Sequence, residues 1–192
     1  MKYTQIPTTA FQQMQMNAGI LCTGFNPSTG EITDDSIIGA TTGGISINIV
    51  PNYSDMGEDV DNCPKNTKEL KRVDDWDVTA SGTFVTVSSS TAKSLIGAAD
   101  VSGNKITPRV DLADSDFADI WFVGDYSDKN GPTNGGYMAV KILNALSTGG
   151  FSIQTADREK GQFAFAYTGH TSVSAQNIVP AEIYVKAGTA EL

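Results

Sequence analysis

Apolar and polar residues alternate with a period of two along much of this 192-residue chain. The run 44–50 alternates isoleucine with serine and asparagine, and the run 162–169 alternates aromatic residues with glutamine, alanine and threonine. This period places successive side chains on opposite faces of a strand, so each run predicts a strand with one face against a core and the other in water. The pattern predicts eight strands, over residues 18–25, 44–50, 76–87, 118–126, 137–146, 151–156, 162–169 and 181–187.

The aromatic face of the run 162–169 is expected to point into the core. Its expected neighbours there are the apolar residues Phe151, Ile153, Leu95 and Ile96. The opposite faces carry small and polar residues, which are expected to line a channel or an equally wet outer surface: Gln162, Ala164, Thr168, Ser152 and Gln154. The apolar residues Ile183 and Val185 alternate in the same way and are also expected to face a core.

One segment departs from the period of two. After Ser88, the residues Ala92, Leu95, Ile96 and Ala99 fall at positions i, i+3, i+4 and i+7. This spacing predicts a helix of about two turns with a serine cap, lying over the sheet.

The N-terminal residues 1–17 are predicted to form an arm. Thr9 and Gln12 have the spacing of a capping box, which predicts one short helix carrying Phe11 and Met14.

Residues 51–75 show no clear period and carry opposite charges side by side. We expect a long loop here, with one helical turn from Asn66, that contacts a neighbouring subunit, because loops of this length in compact domains usually have a function. No repeat or linker divides the chain, so residues 1–192 are predicted to be one domain. The predicted fold is mainly β, a β-sandwich or barrel-like arrangement with one flanking α-helix.

The composition fits short strands joined by many turns, with 19 glycines, one histidine and only 18 % charged residues. The net charge of -9 disfavours a protein that grips nucleic acid, because such a surface repels phosphates. It does not exclude a protein past which DNA slides.

The two cysteines, Cys22 and Cys63, are too few for a disulfide scaffold, and both are predicted to be free. The N-terminus lacks the pattern of a secretory signal, and no stretch approaches the ~20 apolar residues of a membrane span. The protein is therefore expected to remain in the cytoplasm where it is made.

Candidate chemistry is sparse. His170 is the single histidine and follows Thr168 and Gly169 at a strand end, where a turn residue is expected. The glycine pairs at 43–44 and 135–136 lack the lysine of a phosphate-binding loop and are expected to form turns. No pair of carboxylates stands out as the acid and base of a glycosidase.

A calcium site is the main metal hypothesis. Asp111, Asp114, Asp116 and Asp119 form an acidic series, and residues 128–131 match the middle of a calcium-binding loop. Tyr126 and Tyr137, however, occupy the first and last positions, where that loop requires carboxylates. We therefore expect no metal site, no cofactor and no catalytic residue, and we do not expect an enzyme.

Several segments occur in an order that resembles the order seen in a known family. No single segment is diagnostic, and the resemblance rests on their order. The segments are 17–21, 25–27, Asp75-Trp76-Asp77-Val78 with the following run 81–87, 106–109, 116–121, 124–128, 143–147, 150–151, 160–165, 169–170, 179–180 and 182–185. In this order they resemble the major tail proteins, the tail tube subunits of long-tailed, non-contractile (siphovirus-type) phages and prophages of Gram-positive bacteria. Ala181, where a bulky apolar residue is expected, departs from the pattern.

The resemblance implies a structural virion protein of the phage tail. Tail tube subunits form hexameric rings whose sheets join around a channel, and the rings stack through arms and long loops. The implied partners are other copies of the chain, the tape-measure protein, the tail terminator and the distal tail proteins. Genomic DNA would pass through the channel without specific binding, and no membrane is involved.

Two alternatives remain open. One is another virion or surface β-protein, such as a head decoration protein or a carbohydrate-binding module. The other is a hydrolase built on a β-sandwich.

Overall fold

Antiparallel strands are the main secondary structure of the chain. The structure is a computed structural model that describes residues 5–7, 10, 13–33, 35–126 and 135–188. Its strands are β1 (Gln15–Cys22), β2 (Phe25–Asn26), β3 (Glu31–Ile32), β4 (Thr41–Asp55), β5 (Lys71–Phe84), β6 (Ala99–Ser102), β7 (Lys105–Pro108), β8 (Ala118–Tyr126), β9 (Gly136–Ser147), β10 (Phe163–Thr168) and β11 (Ala181–Lys186). The helical elements are α1 (Ser89–Ile96) and the short 3-10 helices Lys68–Leu70, Asp114–Asp116 and Val173–Ala175.

The main sheet divides into two layers at β9. Its strand order is β1-β8-β9-β10-β5-β4, and β11 also pairs with β9. β11 pairs with residues 137–142 of β9, whereas β10 pairs only with Leu146 and Ser147 at its end. The first layer is therefore β1-β8-β9-β11, and the second is β10-β5-β4. This is the predicted β-sandwich-like fold with one helix, and the sheets do not close into a barrel.

The core lies between the two layers, and the predicted inward face of β10 is confirmed. Phe163, Phe165 and Tyr167 are buried, and Phe165 stacks on Phe84 of β5 with ring centroids 4.4 Å apart. Other members of this core come from both layers and from the helix: Leu21, Val78, Ala80, Leu95, Ile120, Ile142 and Ala145. Each buried valine, leucine, isoleucine or phenylalanine contributes ~1.5–3 kcal/mol, so the alternating pattern determines which faces meet.

The predicted strand 151–156 is wrong. The chain leaves the sheet at Gly149 and Gly150, where Gly150 has a φ of 68°, and only an isolated bridge joins Gln154 to Gln162. Phe151 and Ile153 are exposed, although the ring of Phe151 still lies 5.9 Å from that of Phe163. Alternation alone cannot form a strand where no neighbouring strand offers hydrogen-bond partners.

The predicted helix is confirmed as α1. The Ser88 hydroxyl accepts a hydrogen bond from the Thr91 amide, which is the expected N-cap. Leu95 is fully buried, Ile96 is partly buried, and the helix ends at Gly97 with a φ of 82°. Ala99, predicted as the last apolar position of the helix, is instead the buried first residue of β6.

Residues 51–75 are less of a loop than the sequence predicts. β4 and β5 pair as far as Asp55 and Lys71, so that only residues 56–70 form the loop. The sequence of this hairpin extension shows no alternation of apolar and polar residues, because both of its faces meet water. The predicted helical turn near Asn66 is present as the 3-10 helix Lys68–Leu70.

The arm predicted over residues 1–17 is shorter than expected, because Gln15 to Asn17 already belong to β1 and pair toward β8. The register of this pairing shifts between Met16 and Ile20, where Asn17 and Gly19 have positive φ. The capping box and Phe11 lie outside the described residues, as does the segment 127–134.

The outer face of the first layer carries a second, smaller cluster of Cys22, Phe25, Trp121 and Ala139. The small β2-β3 hairpin covers it, and the Tyr137 hydroxyl donates to the Pro27 carbonyl at its edge. On the inner face of this layer, Ile183 and Val185 of β11 are exposed, which contradicts their predicted burial. The second layer does not extend over them.

Candidate functional site

The outer face of the second layer is a surface of small, uncharged side chains. Three neighbouring strands contribute three side chains each, and we call this set the uncharged wall: Thr42, Ser46 and Asn48 of β4, Thr79, Ser81 and Thr83 of β5, and Ala164, Ala166 and Thr168 of β10. All nine are exposed or partly buried.

Strand register brings these residues together in rows. Ser81 of β5 is the partner of Ser46 on one side and of Ala166 on the other, and Thr79 lies between Asn48 and Thr168 in the same way. The alternate residues of β5, Val78 and Ala80, point into the core. The period of two therefore separates a water-facing wall from a buried face on the same strands.

The uncharged wall ends in carboxylates. The next pairs along β4 and β5 are Val50 with Asp77 and Asn52 with Asp75. The Asn52 amide donates to Asp75 at 2.6 Å and to Asp77 at 3.0 Å, which holds both carboxylates beside the wall. The nine wall residues and these two carboxylates include no cation. The next charged pair along the hairpin is Arg72, the partner of Ser54, with Asp74 at 3.0 Å, so this guanidinium is already neutralised.

The wall is bounded by an unpaired strand edge. In the described part of the chain, β4 pairs only with β5, so no strand is paired to its other edge along 15 residues, about 50 Å at ~3.3 Å per residue, although β1 approaches part of β4. Free edges are usually blunted by lysine, proline or bulges. β4 has no lysine or arginine. Its interruptions are the bulge at Gly43 and Gly44, Pro51, and a second register shift between Asn52 and Tyr53.

The loop 56–70 extends this hairpin and is firmly held. The Asp55 carboxylate accepts hydrogen bonds from the amides of Gly57 and Asn66, at 3.0 and 3.1 Å, and lies 3.6 Å from the Lys71 ammonium. The Gly57 amide is the main cause that lowers the pKa of Asp55, and the Asn66 amide and Lys71 add to it. The loop nevertheless exposes Met56 and Val60 to water. An ordered loop with exposed apolar groups is typical of a contact surface.

His170, the single histidine, has a structural position. Its Nδ1 lies 3.1 Å from the Asn144 carbonyl oxygen, and its ring packs edge-on against Phe117 with centroids 5.4 Å apart. The Asn144 side chain donates to the His170 carbonyl in return. These contacts join β9 to the turn after β10, where the sequence predicts a turn residue.

Both cysteines are free, as predicted. Cys22 is buried in the outer cluster, and burial is the main cause that raises the pKa of its thiol. Cys63 is partly buried in the loop 56–70, where its sulfur lies 3.8 Å from the Thr67 hydroxyl.

The acidic series does not converge on one point. Asp116 binds the Arg109 guanidinium through both oxygens, at 2.6 and 2.7 Å, and Asp119 pairs with Lys141 at 2.8 Å. Within the described ranges, no three acidic, histidine or cysteine residues are grouped as a metal site would require. Residues 128–131, the middle of the calcium-loop pattern, lie outside these ranges.

A cleft of about 450 Å³ lies between the start of β5 and the connection from β10 to β11. Trp76 forms part of its lining together with Asp74, Asp75, His170 and Asn177. The Trp76 residue is 36 % exposed. The sequence places Trp76 in a strand but gives no sign of this cleft, because the connection that forms its other side is distant in the chain.

Several predicted residues fall on the water-facing surface. Ala164 and Thr168 belong to the uncharged wall, and Gln162 lies next to it on the same face of the chain. Ser152 and Gln154 are exposed in the segment that follows the turn at Gly150. The contribution of β5 to the wall could not be predicted from the sequence. Thr79, Ser81 and Thr83 can be assigned to the wall only once the strand register is known.

Among the described residues, no helix has the length and apolar character needed to cross a membrane. Comparison of the chain with protein-family models and with curated proteins gave no match.

Proposed function

We propose that this chain is a structural subunit that polymerises into the tail tube of a siphovirus-type phage or prophage of Gram-positive bacteria. Its copies would form hexameric rings that stack around a channel, through which the tape-measure protein and then genomic DNA pass. The observation that carries the proposal is the uncharged wall, bounded by the unpaired edge of β4. The segment order described above supports it independently.

The uncharged wall has the chemistry that a DNA conduit requires. DNA affinity comes mainly from lysine and arginine that neutralise phosphates, and stacking of bases requires aromatic side chains. The nine wall residues include neither, and the adjoining Asp75 and Asp77 add repulsion. DNA would therefore slide along this face without being held.

The free edges have the chemistry that ring closure requires. A strand edge with unpaired amide and carbonyl groups pairs with the edge of another chain. β4 offers such an edge in the second layer, and β11 offers one in the first. Exposed Ile183 and Val185 on β11 would be buried if another copy covered them.

The remaining partners follow from the same proposal. The tube would end on the tail terminator at one side and on the distal tail proteins at the other. The protein would be made and assembled in the host bacterial cytoplasm and would reside in the virion tail. The proposed role is structural, and the packing contacts of His170 support it.

Negative-stain electron microscopy of the purified protein tests the proposal. We expect rings or tubes of constant diameter, either at once or after the protein is concentrated. Their diameter should not change when DNA is added, and DNA should not co-sediment with them at low salt. A protein that stays monomeric at all concentrations, or tubes that coat DNA, would contradict the proposal.

The cleft at Trp76 favours one second candidate, a carbohydrate-binding module. Sugars bind where an aromatic face meets carboxylate and amide groups, and the cleft combines Trp76 with Asp75 and Asn177. This function predicts a monomer that binds glycans and loses that binding in Trp76→Ala. Tubes without glycan binding would exclude it.

A further inference from the structure

The two layers of the sandwich are separated by an open apolar groove. It has a volume of about 260 Å³, and it is lined by Ile45, Ile47 and Ile49 of β4 with Phe122, Val140 and Ile183 of the other layer. Ile183 is 58 % exposed. A small-molecule site of this kind would need convergent polar groups to orient its ligand, and these lining residues supply none. The groove is suited to aliphatic side chains from another protein surface.

The same chain exposes aliphatic side chains on a loop that is held in place. Val110 is 101 % exposed and Leu112 is 56 % exposed. We call residues 110–112 the apolar knob. Large aliphatic residues so fully in water, on an ordered loop, are typical of a contact surface.

The knob is fixed from both sides. The Arg109 guanidinium donates to both oxygens of Asp116 and, at 3.1 Å, to the Asp111 carbonyl. The Ala113 amide donates to the same Asp116 carboxylate at 2.8 Å. Arg109 also forms an ion pair with Asp100 at 2.9 Å, although the angle is not that of a hydrogen bond. A loop held in this way loses little entropy when it binds.

The knob and the groove lie toward different ends of the first layer. The knob precedes β8, whose first residue pairs with Ala145 near α1, where Ser147 donates to the Leu95 carbonyl. The groove is lined farther along the same strands, at Phe122 and Val140. A contact between them therefore joins two copies through unlike surfaces, and such a contact repeats from copy to copy.

We propose that the knob of one copy inserts Val110 and Leu112 into the groove of the next copy. The groove borders the free edges of β4 and β11, so the insertion would lie beside any strand pairing between copies. The inference rests on the proposed function only in requiring self-association, and it names the two surfaces through which the copies meet. The alternative occupant of the groove is the loop 56–70 with its exposed Met56, and the second experiment below distinguishes the two.

The first experiment compares two variants in a concentration series followed by light scattering. Val110→Ser with Leu112→Ser should keep the melting temperature of the parent, because both side chains are exposed. This double variant should polymerise only at a concentration roughly 100-fold higher than the parent requires. Burial of each aliphatic side chain contributes tenfold or more in affinity, and two such side chains are lost. The control Val173→Ser, at an 87 % exposed residue outside the knob, should polymerise like the parent. Parental polymerisation of the double variant, or an equal defect in the control, would overturn the proposal.

The second experiment uses cross-linking in a Cys63→Ser background. A chain with both Leu112→Cys and Ile183→Cys should give a ladder of covalent multimers after oxidation, whereas a mixture of the two single variants should give dimers only. A chain with Met56→Cys and Ile183→Cys tests the loop 56–70 as the occupant, and a ladder from this chain alone would overturn the proposal. Tubes without the knob ladder would overturn the inference and leave the tube function standing. A knob ladder without tubes would support the inference and reject the tube.

Discussion

The ring of Phe165 occupies the space that a side chain at Gly82 would fill. The two residues are partners across β10 and β5, and a Cβ atom added at Gly82 would lie 2.7 Å from the ring of Phe165. The same position would bring it within 3.0 Å of the Gly44 carbonyl oxygen on β4. The glycine thus lets three strands approach closely under the uncharged wall.

Gly82→Ala is therefore expected to destabilise the fold by ~1–3 kcal/mol, the usual cost of overpacking a filled core. The measurement is the free energy of unfolding in urea. Gly161→Ala is the matched control, because the nearest atoms to its added Cβ are 3.9 Å away, and it should unfold like the parent. Equal stability of the two variants would show that the core around Phe165 is loosely packed.

Asn48→Lys tests the electrostatics of the wall. Asn48 is exposed on β4 beside Thr79, so the variant should fold, melt and form tubes like the parent. Six added cations per ring should hold DNA phosphates and slow DNA release from assembled particles, most strongly at low salt. Asn48→Gln separates charge from size and should release DNA normally. If the lysine variant releases DNA at the parental rate, the wall does not line the channel.

The loop 56–70 can be removed without disturbing the strands that it joins. Asp55 and Lys71 are paired residues, so an Asn-Gly turn placed between them should close the hairpin. We expect a folded monomer with a cooperative melting transition that no longer polymerises, because the exposed Met56 and Val60 are lost. Circular dichroism and electron microscopy measure the two properties. Loss of the transition would place the loop in the core, and continued tube formation would show that the loop makes no essential contact.

Asp116 should make stability depend on acid pH. Its amide partner Ala113 and its ion pair with Arg109 lower the pKa of this carboxyl, with the Ala113 amide as the largest cause. A carboxyl whose pKa is lower in the folded state than in the unfolded state stabilises the fold at pH values above its unfolded pKa of ~3.9. That contribution is lost as the pH falls through the pKa of the folded state. Asp116→Asn should therefore be less stable than the parent at pH 7 and should lose less on acidification. Asp114→Asn, at an exposed residue of the same turn, is the control for the loss of a carboxylate and should be as stable as the parent at pH 7.

Much of the fold could be predicted because its signals are local. Ser88 and the spacing of Ala92 and Leu95 define α1 through capping and a helical period, and Phe163 to Tyr167 define β10 through alternation. These signals depend only on near neighbours along the chain, so they survive without knowledge of the tertiary structure.

The missed features depend on partners that are distant in sequence. The extension of β4 past Val50 is held by pairing with β5 and not by a buried face, so its sequence shows no alternation. Phe151 and Ile153 show alternation but have no strand beside them. Ile183 and Val185 alternate correctly and yet remain exposed in the single chain, and under the proposed function another copy would bury them.

The most direct test of the central claim is a cryo-electron microscopy reconstruction of the polymer formed by the purified protein. The account predicts stacked rings of six subunits, with Ser46, Ser81 and Ala166 facing an open channel and the outer cluster of Cys22 and Trp121 away from it. A protein that remains monomeric, or a tube whose channel is lined by the β1-β8-β9-β11 layer, would contradict it.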